Sequence, residues 1–168
     1  MVSQYFIYTR EVKMRKVAVC MVMVVVLLGV ACAVYASSQE DAKALALKGA
    51  LLIKDMGKDK GIAEIMNPNS QFRTLFKSGK LTLTVNGFNG VNLANPFFPG
   101  LVGQDHLGLK DPNGKPFIKD AVEIAKTKGG GPIEFAFTDP DTKKVGQYNG
   151  WVQRVEGMDM FVMGLSWK

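Results

Sequence analysis

The one histidine of the chain, His106, follows Asp105, an order that can orient an imidazole toward a nucleophile. Beyond residue 36 the serines are Ser37, Ser38, Ser70, Ser78 and Ser166, and none sits in a Gly-x-Ser-x-Gly nucleophile turn. His106 therefore reads as a lone surface histidine. Gly129-Gly130-Gly131 has the composition of a phosphate cradle, but such a cradle leads into a helix N-terminus, where free N–H groups face the anion. These glycines leave a helical pattern and enter a strand pattern, so a turn is expected. Asp139-Pro140-Asp141 lacks the mid-loop glycine and the closing glutamate of a calcium loop. Cys20 and Cys32 both fall in the first 36 residues; with that segment removed, disulfides, thiolate metal sites and thiol catalysis are excluded. A single histidine also excludes a His-rich metal centre. The expectation is a protein that is not an enzyme and holds no metal and no cofactor.

Binding is the chemistry that remains. Phe135, Phe137, Tyr148, Trp151, Phe161 and Trp167 fall on the last three strand patterns, with Phe97 and Phe98 in a loop before them. Phe137 and Phe161 are expected in the core. Tyr148 and Trp151 carry polar tips that need partners when buried, which suits the rim of a pocket. Arg73, Asn95, Tyr148 and Arg154 could converge on a small polar ligand. Strand alternation puts Tyr148, Gly150, Val152 and Arg154 on one face and Trp151, Gln153 and Val155 on the other. Arg154 thus suits a solvated surface position as well as an anion clamp.

The elements that must carry these residues follow from the hydrophobic period. Ser38, with Asp41 three residues on, opens a helix whose apolar stripe is Ala42, Leu45, Gly49, Leu52 and Met56, and Gly57 stops it. A shorter helix around Gly61–Met66 ends before Pro68. From Leu81 the period becomes two, with Leu81, Leu83 and Val85 alternating with Thr82 and Thr84 in a half-buried strand. A turn at 86–90 leads to a second strand, Val91 to Ala94. The stretch from Asn95 to Pro116 holds four prolines and four glycines, and a loop of that length is usually a lid or binding wall. A helix over Phe117–Lys126 and three strands (Pro132 to Phe137, Gln147 to Val155, Met160 to Trp167) complete an α+β domain with helices on one side of an antiparallel sheet.

The net charge of +6 has an unremarkable origin: residues 1–36 carry +3 and the remaining residues +3, so no basic patch marks a nucleic-acid partner. Lys13-Met14-Arg15-Lys16 precedes an uncharged run from Val17 to Ala36, the pattern of an export signal. Val34-Tyr35-Ala36 supplies a cleavage site. A retained anchor, about 30 Å long if helical, and a lipoprotein signal at Cys32 are the other two readings. All three place residues 37–168 outside the cytoplasm, as a periplasmic protein or one anchored in the inner membrane.

At this point the chain resembles the single Cache domain, type 2, of bacterial extracytoplasmic sensors, over nearly all of residues 40–168. The resemblance is carried by residues 90–96 (Gly-Val-Asn-Leu-Ala-Asn-Pro), Leu101-Val102-Gly103, residues 107–117 and Thr138-Asp139-Pro140. The Asp111–Phe117 run is the most specific part. The resemblance implies a PAS-like antiparallel sheet of about five strands with a long N-terminal helix and flanking short helices. It also implies a small-molecule ligand, often a short carboxylate, held between sheet and loops; of the strand aromatics, Phe135 and Trp151 are expected to line its site. A chain ending at Lys168 matches the stand-alone exported members. Where the family shows Ala-His-Pro, this chain has Ala94-Asn95-Pro96; Thr82 stands for a strand tyrosine and Tyr148 for a lysine. Loss of that lysine removes a carboxylate's cationic partner, so the expected ligand is a short carboxylate or another small polar metabolite. Two functions follow: an extracytoplasmic small-molecule sensor working with a membrane receptor or sensor kinase, or a degenerate-pocket module that binds such a receptor or itself as a homodimer.

Overall fold

The computed structural model describes residues 39–73, 81–138 and 143–167. They fall in one compact unit, Ser38–Lys168. The export segment, the Ser38 cap and the Asp139-Pro140-Asp141 turn lie outside the described residues. Helix α1 spans residues 39–56 and α2 spans Lys58–Met66, with Gly57 between them at φ 81°. Strands β1 (Leu81–Gly87) and β2 (Asn92–Ala94) follow, then helix α3 (Phe117–Lys128) and strands β3 (Gly130–Thr138), β4 (Val145–Arg154) and β5 (Met160–Trp167). Of the glycine run expected as a turn, only Gly129 caps α3; Gly130 and Gly131 already pair with Gln153 and Val152.

The sheet order is β2-β1-β5-β4-β3, every pair antiparallel. Strand β5 is central and buried from Met160 to Ser166, so its alternate residues feed two cores. Met160 and Val162 join Leu83, Val85, Leu45, Ile53 and Phe72 beneath α1 and α2. Phe161, Met163 and Leu165 join Ile133, Phe135, Tyr148 and Val152 beneath α3. The helices therefore lie on both faces, not on one as the element order suggested. A central strand apolar on both sides requires cover on both.

The stripe of α1 is also rotated from the expected one. Ala42, Leu45, Ala46, Ala50 and Ile53 are buried, whereas Leu52 is half-buried and Met56 exposed. The reason is close approach: a Cβ at Gly164 of β5 would sit 2.0 Å from the Ala42 carbonyl oxygen. Small residues let α1 lie flush on the sheet, and period alone does not distinguish that face from its neighbour.

The conspicuous Asp111–Phe117 run is a staple. The buried Asp111 carboxylate accepts N–H bonds from Asn113 and Lys115 (2.8 Å each) and from Ala136 of β3 (3.0 Å). Lys115 Nζ donates to the Glu134 carbonyl (2.6 Å), and Phe117 stacks on Phe135 with centroids 4.3 Å apart. The run thereby satisfies backbone groups on the outer side of β3. The Ala136 N–H, followed by those of Lys115 and Asn113, holds the Asp111 carboxyl below its usual pKa of 3.8, against an opposing effect of burial. On falling pH the unfolded chain takes up this proton first. The stability is thus full above 3.8 and lost as pH drops through the lower folded value. Asp111→Asn is expected to melt below wild type at pH 7, with the gap narrowing at pH values under 3.8; thermal unfolding at pH 7 and in acid checks this, and a constant gap contradicts it.

Candidate functional site

On the α3 face of the sheet, beneath the 95–116 segment, lies a cavity of about 90 Å³. An apolar cavity of about 150 Å³ accepts benzene, so this one has room for about four heavy atoms. Thr82, Thr84 and Asn86 of β1 and Asn92 of β2 form its polar floor, and Phe135, Phe137, Tyr148, Met163 and Leu165 its apolar wall. The covering segment contributes Asn95, Phe98, Leu101, His106 and Leu109.

Local hydrogen bonding explains how that cover is held. Asn95 Oδ1 accepts the N–H groups of Phe97 (3.2 Å) and Phe98 (2.9 Å), turning the chain over the sheet. Asn92 N–H donates to the Gln104 carbonyl (2.9 Å), and Gly103 N–H to the Asn92 carbonyl (2.8 Å). His106 N–H donates to the Gly90 carbonyl (3.0 Å). Gly90 is at φ +84°, and a Cβ there would meet the Leu107 nitrogen at 2.7 Å, so this seam needs glycine.

The floor is a connected network. Thr84 Oγ1 donates to the Ala94 carbonyl (3.2 Å) and accepts from Asn92 Nδ2 (2.8 Å) and Asn86 Nδ2 (3.5 Å). Asn92 Nδ2 also donates to Asn86 Oδ1 (3.1 Å). The aromatic wall is a second one: Tyr148 stacks on Phe135 at 5.7 Å and meets Trp167 edge-on at 5.1 Å. Among the described residues, no lysine, arginine, aspartate or glutamate lines the cavity. His106 is half-buried there, not the surface residue expected, and burial lowers its pKa below 6.5 despite the opposing pull of Asp105. Its imidazole is thus neutral at pH 7. Among the described residues no cluster of three or more potential metal ligands occurs.

Of the residues singled out in the sequence, Tyr148, Asn95, Thr82 and Phe135 meet in this one cavity. Trp151 does not. It is half-buried on the opposite face, with Lys43 Nζ 4.7 Å from its ring centroid and its own Nε1–H directed at Gln153 Oε1 (3.4 Å). Arg73 lies in the helical turn at 71–73, also away from the cavity. The Arg154 guanidinium sits 5.3 Å from the Phe88 ring centroid and is no clamp for a ligand in this cavity. Thr84, Asn86 and Asn92 were missed, because polar positions on an alternating strand read as solvent-facing. The signal that could find them is the long loop, which must cover one face of the sheet.

The family model described as Single Cache domain 2 matches residues 8–166. The chain belongs to this family. Solved structures agree on the fold. A periplasmic sensor domain of a chemotaxis protein superposes with TM-score 0.64 at 22% identity, covering 79% of this chain and 96% of that one. A Cache chemosensory domain studied for carboxylic acid recognition gives 0.63 at 18%, covering 80% and 95%. A methyl-accepting chemotaxis protein from Vibrio parahaemolyticus RIMD 2210633 gives 0.56 at 18%, covering 76% and 86%. No curated protein matches the sequence. The Cache domain described here thus has the PAS-like α+β architecture anticipated from its motifs. Among the described residues no helix is long and apolar enough to cross a membrane.

Proposed function

We propose that this Cache domain is an extracytoplasmic sensor, periplasmic or anchored in the inner membrane, that binds a small polar metabolite and signals through a partner receptor or sensor kinase without turnover. The observation that carries this is the cavity itself: an apolar chamber of about 90 Å³ with hydroxyl and amide side chains gathered on its floor. The similarity to a chemosensory domain that recognises carboxylic acids supports a small ligand in this place. The degenerate-pocket alternative needs Tyr148 and Trp151 to fill the chamber. Tyr148 lines an open space and Trp151 faces the other way, which supports the sensor.

Thermal unfolding of the full chain against a panel of small acids, amides, alcohols and amines tests this. A ligand at a hundredfold excess over its dissociation constant adds about 2.7 kcal/mol, a melting shift of several degrees. A flat response across the panel at millimolar concentration counts against the sensor.

A further inference from the structure

We propose that His106 turns the chamber into a carboxylate site on protonation, so that the sensor answers to a small organic anion under mild acid. This rests on the cavity being the ligand site. His106 lines that cavity from the covering segment. Its neighbours Asp105 and Leu107 are exposed while it is half-buried, so the imidazole is the side chain of the three that turns inward. The backbone fixes it there: its N–H donates to the Gly90 carbonyl and its own carbonyl accepts from the Leu109 N–H, each at 3.0 Å. The Asp105 carboxylate is engaged in its own turn, accepting the Leu107 N–H at 2.8 Å. Among the described residues the imidazole has no hydrogen-bond partner, and neither of its nitrogens is sealed from water as the Asn92 side-chain oxygen is. An open, unpartnered donor on the wall of a cavity is available to a ligand.

Two effects act on the ring: burial, the larger, disfavours the imidazolium, and Asp105 on the same segment favours it. On the other elements around the chamber (β1 to β5 and α3), the titratable side chain among the described lining residues is Tyr148. The ring is thus neutral at pH 7 and takes up its proton below 6.5. A carboxylate beside the neutral ring gains one ordinary N–H bond while giving up its water. Beside the imidazolium it gains a charge-assisted bond and neutralises the charge that burial disfavours. The complex therefore holds the proton more firmly than the empty chamber does. By linkage, binding draws in a proton, and affinity rises as pH falls toward about 4–5, where a carboxylate itself titrates. Acetate has the four heavy atoms the volume admits.

His106 is the chain's one histidine, so its ring C–H proton resonances report on it without ambiguity. In the untagged full chain, sodium acetate in place of sodium chloride at equal concentration, tens of millimolar, is expected to raise the His106 titration midpoint by about one pH unit. Calorimetry is expected to show acetate binding at least about fivefold tighter at pH 5.5 than at pH 7.5, with proton uptake seen as a buffer-dependent heat. In His106→Gln, which keeps an N–H donor and loses the charge, that pH dependence is expected to vanish. If the variant does not fold, the wild-type resonance still decides. A midpoint that acetate leaves in place overturns the proposal, as does equal binding at the two pH values or a slope that survives in the variant. Each of these leaves the sensor standing; only a flat response to the whole thermal panel removes it as well.

Discussion

Gly164→Ala is expected to destabilise the domain by about 3 kcal/mol, the upper end of what overpacking a core costs, and Gly164→Val to leave it unfolded. The added Cβ would stand 2.0 Å from the Ala42 carbonyl oxygen and 2.9 Å from the Ala46 nitrogen. Both are backbone atoms of α1, so no side-chain rotation relieves the contact; the helix has to lift from the sheet. Lifting it opens the core that Leu45, Ala46, Ala50 and Ile53 share with Leu83, Val85 and Val162. Gly108→Ala is the control, since nothing lies within 4 Å of a Cβ there, and a change within about 0.5 kcal/mol is expected. Urea unfolding midpoints decide the matter, and a Gly164→Ala midpoint equal to that of wild type refutes the flush packing of α1.

Acetate binding is expected to rise tenfold or more in Tyr148→Lys. For a ligand of about four heavy atoms the binding energy is capped near −6 kcal/mol, a dissociation constant of tens of micromolar. Among the described residues no lysine or arginine lines the wild-type chamber, so acetate is expected to bind no tighter than roughly millimolar. A lysine on β4 at this position points where the Tyr148 ring now lines the cavity, and a charge-assisted hydrogen bond contributes about 1.5–3 kcal/mol. Without ligand the new ammonium is buried and unpaired, and the contacts of the Tyr148 ring with Phe135 and Trp167 are gone. The empty variant is therefore expected to melt lower than wild type, and acetate to raise its melting point more. Low-micromolar acetate binding by the wild type, or no gain in the variant, overturns this account of the chamber.

The elements were legible because period and punctuation agree: a stretch of period 3.6 closed by Gly57, period two from Leu81, and proline and glycine through the long loop. Less legible was everything that depends on which faces meet. Thr82, Thr84 and Asn86 alternate with apolar neighbours as exposed residues do, yet all three are buried because a distant segment roofs them. Trp151 and Tyr148 look equally suited to a pocket rim, but three positions apart on a strand they take opposite faces, and only one face holds the chamber. Arg73 belongs to a helical turn that packs on the far core through Phe72, which no local pattern reveals.

The staple on β3 and the seam on β2 also decide how copies of this domain can meet. An open sheet ordinarily offers its two outer strands to a second chain, which can add to either. Here Pro132 has no N–H to give, while Glu134 and Ala136 are already bonded to Lys115 and Asp111. At the other end, Asn92 of the three-residue β2 is bonded to Gly103 and Gln104. Adding a strand at either end would have to break these bonds first. Among the described residues, Leu47 and Leu51 of α1 stand exposed one turn apart and offer a side-chain surface for pairing instead.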